Sequence, residues 1–231
     1  MCFSAAGSFA LSGVLAGIGV ASLAQGAPAR HRMFAAIPLI FAAQQASEGV
    51  VWLTIDASMS EPVHRAAVIA FLGFALIVWP AWLPLSLHRI ERSEPRRHAL
   101  AAMWALGLIV ALSSAIILTA STPVAVVAGH SIRYDHAGGG NAVLDALIVF
   151  AYLVPTVGPF FASTAAHART IGVLLIVALG AAILVEREAL TSVWCFFAAV
   201  LSGTVYFSVR QDVRATAAVR HLPMPHGGRA Q

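Results

Sequence analysis

Apolar residues run through this chain in long blocks, and charged or Pro/Gly-rich breaks divide them into seven. The blocks cover residues 5–25, 34–55, 64–87, 99–119, 142–163, 170–186 and 190–209. Each is close to the ~20 residues a helix needs to cross a bilayer. Continuous apolar character at that length predicts spanning helices rather than strands. The breaks are sharp: Ala27-Pro28-Ala29-Arg30-His31-Arg32, then Ser60-Glu61-Pro62, then Arg89 to Arg97 with Glu91, Glu94 and Pro95. Glu186-Arg187-Glu188 is so short a link that the sixth and seventh helices must form an antiparallel hairpin. One stretch has a different rhythm. Pro123 to His136 reads as a β-branched strand, a turn at Gly129-His130-Ser131 and an alternating second strand. Gly138-Gly139-Gly140 then leads into the fifth helix, with Asn141 placed to cap it. The expected fold is an all-α polytopic membrane protein of seven helices, with a small β-hairpin as a lid in the loop between helices four and five. Residues 1–210 form a single domain, and the polar tail 211–231 is expected to be disordered.

Composition supports this reading and removes alternatives. Of the 231 residues 59% are hydrophobic and 10% charged, against about 25% charged in soluble domains. The mean hydropathy is +0.84. The bilayer is therefore the first partner. The formal charge of +4 reflects basic loops facing anionic lipid rather than nucleic acid. All 14 basic residues are arginine, so a retinal cofactor is excluded, because its Schiff base needs a lysine. Arg30, Arg32, Arg89, Arg92, Arg96, Arg97, Arg169, Arg210, Arg214, Arg220 and Arg229 fall on one side of the predicted topology, and Arg65, Arg133 and Arg187 on the other. That asymmetry puts the N-terminus outside and the C-terminus in the cytoplasm of a bacterial inner membrane. Residues 1–25 carry no charge, so the first block lacks the basic start of a signal peptide and reads as a retained helix.

Against this background the second block stands out. Gln44, Glu48 and Trp52 recur every four residues and Gln45 lies three before Glu48, so on a helix all four share one face. A charged group inside the membrane costs about 2.5–3.5 kcal/mol on the lenient insertion scale. Such a face points to protein or water and invites coupling to a proton or cation. The opposing reading is a structural carboxylate held by a buried donor, with Gln44 and Gln45 as interhelical glue. With the N-terminus outside, Asp56 marks the outer exit, and Glu48 lies about 12 Å below it at 1.5 Å per residue. The fifth helix carries Asn141, Asp145, Tyr152, Thr156 and Ser163 on one approximate face, with Pro155 and Pro159 as kink points. The seventh carries Thr191, Cys195, Ser202 and Tyr206, and the first has Ser8, Ser12 and a Gly13/Gly17 small-xxx-small pair. Trp79-Pro80-Ala81-Trp82 reads as an interfacial anchor. These stripes make Glu48, Gln44, Gln45, Trp52, Asp145 and Tyr152 the ligand-binding candidates.

Cys2 and Cys195 both fall near the outer face. They are open to three readings: a disulfide, two inert thiols or a shared soft-metal site. His64, His130 and His136 lie on the same side, near enough to acidic residues to raise a zinc site, but no metal-ligand spacing supports one and solvated loop histidines are favoured. Glycine loops for phosphate and nucleophile elbows are absent from the sequence.

The opening Met1-Cys2-Phe3-Ser4-Ala5, the run Gln44-Gln45-x-x-Glu48-Gly49-x-x-Trp52, Ile132-Arg133-Tyr134 and Trp194-Cys195-Phe196-Phe197-Ala198-Ala199 together resemble a family of uncharacterised bacterial integral membrane proteins. The resemblance implies a seven-helix inner-membrane protein and brings no activity with it. The seven-helix metal-dependent hydrolases that include alkaline ceramidases and progestin-receptor-like proteins are a weaker comparison. They place histidines in the last helices, where this chain has Cys195, and it has Glu48 in the second helix. The first functional expectation is therefore a non-enzymatic protein with an outward-opening polar pocket around Glu48 that binds, senses or transports a small molecule or ion. A membrane-embedded metal-dependent hydrolase comes second, and a structural or assembly partner third. Nothing in the pattern selects an oligomeric state.

Overall fold

A computed structural model describes residues 4–55, 61–121, 123–128, 131–135, 142–185 and 190–220. Helices stand where the apolar blocks predict them. Helix α1 (Ala5–Leu23) starts at Ser4, whose hydroxyl accepts a hydrogen bond from the Gly7 amide. A 3₁₀ turn (Ala29–His31), α2 (Arg32–Ala35) and α3 (Ile37–Ile55) make a second rod. The third consists of α4 (Glu61–Gly73), a π-helical turn (Phe74–Val78) and α5 (Trp79–Ile90). Then come α6 (Glu94–Ala120), α7 (Ala142–Ala162), α8 (Ala168–Val185), α9 (Leu190–Ser202) and α10 (Thr204–Arg220), with a break at Gly203 between the last two. Five stretches are long and apolar enough to cross a membrane: Ala5–Leu23, Ala29–Ile55, Glu61–Ile90, Glu94–Ala120 and Thr191–Arg214. Ala146–Ala162 and Ala168–Leu184 are apolar and shorter. Leu108, Ile109, Leu112 and Ile116 on α6, and Leu147 to Phe150 on α7, are exposed, as lipid-facing side chains would be.

Strand β1 (Val124–Ala128) pairs antiparallel with β2 (Ser131–Asp135), Val126 opposite Arg133. Alternation turns Ile132 and Tyr134 inward, and the Tyr134 ring stacks on Phe71 with centroids 4.7 Å apart. The hairpin contacts α3 and α4 through β1 and α9 through β2, so it lies across one end of the bundle. We call this the hairpin end.

Two expectations change. The polar composition from 211 onward predicts a disordered tail, whereas α10 continues as a helix to Arg220. Ala215, Ala217 and Ala218 are strong helix formers, and they extend a helix already nucleated inside the bundle. The remainder of the tail, 221–231, lies outside the described residues. The Gly13/Gly17 pair is not a packing face either. Both glycines are exposed, and a Cβ at either would meet nothing within 4 Å. Close contact between α1 and α3 runs instead through Gly19, where a Cβ would come within 2.9 Å of the Leu39 backbone nitrogen, and Gly49, which faces the Phe9 ring.

Candidate functional site

Three polar side chains of the otherwise mostly apolar α3 have only protein to face: Gln44, Gln45 and Glu48 are each 0% exposed. Hydrogen-bond partners await them. Ser192 on α9 donates to Glu48 Oε1 at 2.5 Å, and the Gln45 amide donates to Oε2 at 3.4 Å. Trp79 Nε1 at the head of α5 donates to Gln44 Oε1 at 2.7 Å, while its ring stacks on Phe41. Cys195, one turn beyond Ser192, stands beside both Glu48 and Gln44. The face read from four-residue spacing thus forms a polar seam joining α3 to α5 and α9.

Tyr152 on α7 joins the same region. In the π-helical turn the Trp79 amide bonds back to the Phe74 carbonyl, five residues earlier. The next amide in that register would belong to residue 80, which is proline and has none. The Ala75 carbonyl is consequently left over, and the Tyr152 hydroxyl donates to it at 2.7 Å. A local irregularity imposed by Pro80 is what fixes Tyr152 to the third rod. Tyr152 lies beside Cys195, and its ring meets Trp194 edge-on at 5.8 Å.

Between these helices is a narrow cleft of about 50 Å³. Its walls are Phe41, Leu83, Phe160, Ile171, Leu175 and other apolar side chains, with Trp79, Tyr152, Thr156, Trp194, Cys195 and Ser202 contributing the polar atoms. Glu48, Gln44 and Gln45 do not line it. The polar pocket expected around Glu48 is therefore replaced by an apolar cleft, with Cys195 common to the cleft and the seam. The physical reason is that Ser192 and Gln45 already hold both carboxylate oxygens. Trp194 Nε1–H, buried at the cleft, has no acceptor among the described residues.

The other candidates separate. Trp52 is half-buried and packs with Val50 and Ile55 against the group around Val51 and Phe71. His64 Nδ1 pairs with the Thr54 hydroxyl at 2.8 Å. The side chain of Asp145, and Cys2, His130 and His136, lie outside what the structure describes; Cys195 has no disulfide partner among the described residues. No group of three His, Cys, Asp or Glu side chains converges among those residues. Trp79 is a correction: at 3% exposure it is a buried donor to Gln44 rather than an interfacial anchor. Ser192 was missed, although its place three residues before Cys195 put it on the same helical face.

A second buried carboxylate sits at the opposite end. Glu91 follows α5 and accepts from the amides of Arg92, Ser93 and Thr164 and from the Thr164 hydroxyl, at 2.6–2.9 Å. It ties the α5–α6 corner to the α7–α8 corner. Burial pushes its pKa up, but these hydrogen bonds outweigh burial and hold the carboxyl below its usual value. Because the folded pKa is lowered, the stabilisation is complete above the unfolded value of about 4.3 and is lost as pH falls through the folded one. Unfolding free energy should therefore fall on acidification through that window. A matched titration of Glu91→Gln in the same detergent should be flatter; an identical pH profile would remove Glu91 from the account.

The chain belongs to DUF6629, a family of unknown function, whose pattern covers residues 1–220. Neither a curated protein nor a solved structure matches it.

Proposed function

We propose that this member of the family is a multi-pass inner-membrane protein that binds an apolar small molecule bearing one hydrogen-bond acceptor. The cleft between α3, α5, α7, α8 and α9 is the binding site. The observation that carries this reading is the pairing of an almost wholly apolar wall with the Trp194 Nε1–H, which has no acceptor among the described residues. Apolar surface supplies affinity, and an unpaired buried donor favours a ligand that satisfies it. In this reading Glu48 positions Ser192 and, through it, the α9 wall; it does not touch the ligand. Of the two alternative readings, the structural one has a specific observation behind it: the hydrogen bonds held by both Glu48 carboxylate oxygens favour a role in helix packing. The N-terminus is placed outside and the C-terminus in the cytoplasm, on the strength of the arginine asymmetry; a C-terminal reporter reading as external would reverse it.

The test is displacement of an environment-sensitive hydrophobic dye that carries a ketone, using purified protein. Ala198→Phe should fill the cleft and weaken dye binding roughly tenfold, about 1.4 kcal/mol. Leu184→Phe, on an 87%-exposed position, should leave it unchanged. Trp194→Phe should weaken the ketone dye more than its hydrocarbon analogue. Equal binding by Ala198→Phe and the parent protein would defeat the proposal.

A further inference from the structure

At the end of the bundle opposite the hairpin, three chain corners and helix α10 meet around a pocket of about 220 Å³. Arg30 and His31 come from the turn before α2, Ile90 and Arg92 from the end of α5, Thr164 and Ala165 from the α7–α8 link, and Asp212 from α10. Unlike the cleft, this pocket is lined mostly by polar atoms.

Its charges are unevenly committed. His31 is 6% exposed, its Nε2 lies 3.6 Å from Asp212 Oδ2, and its Nδ1 has no partner among the described residues. Among those residues the guanidiniums of Arg30 and Arg92 make neither an ion pair nor a side-chain hydrogen bond. Both are close enough to His31 and Asp212 to act on them electrostatically. The nearby Glu91 carboxylate is occupied by its four donors, and among the described residues that line the pocket Asp212 supplies the carboxylate. Glu91 also holds the Arg92 amide, and so fixes where that side chain departs. The two forked cationic donors of Arg30 and Arg92 beside one polar hollow are suited to an oxyanion, and the fork geometry matches phosphate.

We propose that this pocket is a binding site for a phosphoryl group, supplied either by the headgroup of an anionic phospholipid or by a free phosphate. It is separate from the apolar cleft and does not depend on what occupies it.

The experiment uses the full chain in phosphatidylcholine nanodiscs at fixed pH. One arm adds phosphatidic acid to the disc and reads retained lipid by native mass spectrometry; the other titrates inorganic phosphate by calorimetry. The variant is Arg30→Gln with Arg92→Gln. The control is Arg89→Gln with Arg169→Gln, which removes the same charge from exposed arginines at the same end that do not line the pocket. Loss of hydrogen bonds to a charged group predicts a weakening of roughly tenfold or more for the first pair, with the control within about twofold of the parent. That pattern in the lipid arm alone identifies a headgroup site, and in the phosphate arm a site for the free anion. Equal losses in both double variants would mean diffuse surface charge, and absence of binding in both arms would overturn the proposal. Arg92→Gln alone keeps the comparison readable if the double variant does not fold.

Discussion

Glu48→Ala should be among the most destabilising single substitutions in this protein, with a loss of about 2–4 kcal/mol in reversible unfolding from detergent micelles. Two effects add. Removing the carboxylate strips the acceptor from the Ser192 hydroxyl and from the Gln45 amide, both 0% exposed, in a place where water cannot replace it. It also empties side-chain volume at the junction of α3 and α9. Glu48→Gln separates the two effects because it keeps the volume. One amide oxygen can still accept from Ser192, but the new NH₂ then faces the NH₂ of Gln45, so a loss of about 1 kcal/mol is expected. If Glu48→Gln proved as damaging as Glu48→Ala, hydrogen bonding rather than packing would dominate the seam. If both were neutral, the seam would not hold α9 in place, and the positioning role given to Glu48 would fail with it.

The seam also shows what could be read from the sequence and what could not. The spacing of Gln44, Gln45 and Glu48 identified one helical face, because a 3.6-residue period is local information. Which neighbour that face meets is not local. Ser192 lies 144 residues away, and nothing in α3 encodes whether a carboxylate will find a hydroxyl or open water. The expectation of a polar pocket assumed water; the fold supplied Ser192 and Gln45. Trp79 failed for a related reason. A Trp-Pro-Ala-Trp run next to a helix end has the composition of an interfacial anchor, and only the tertiary position of Gln44 makes Trp79 a buried donor. Glu91 was visible only as a loop charge, since its ligands Thr164 and the amides around it are assembled by the packing of distant corners. The hairpin, by contrast, was legible because its strands are adjacent in sequence and its alternation matches its burial.

Glycines carry the same lesson about distance, and Gly107→Ala is the sharper test of it. A Cβ built on Gly107 would lie 1.9 Å from the Pro80 carbonyl oxygen, an atom of backbone rather than of a flexible side chain. On the other side Pro155 Cβ is 3.2 Å away, so α6 cannot slide off α5 without running into α7. Overpacking of this kind costs about 1–3 kcal/mol, and the upper part of that range or beyond is expected because neither neighbour can rotate away. The damage should reach further than the contact. Pro80 sets the π-helical turn whose leftover Ala75 carbonyl anchors Tyr152, and its neighbour Trp79 holds Gln44. Displacing Pro80 therefore loosens the cleft wall and the seam together. Gly180→Ala provides the control, because a Cβ there meets nothing within 4 Å. In a helix interior alanine is favoured over glycine by about 0.5–1 kcal/mol, so Gly180→Ala should be neutral or slightly stabilising. The two alanine variants should thus move the unfolding midpoint in opposite directions, with Gly107→Ala also weakening binding of the ketone dye. A Gly107→Ala protein as stable as its Gly180→Ala counterpart would mean that α5 and α6 do not meet at Pro80.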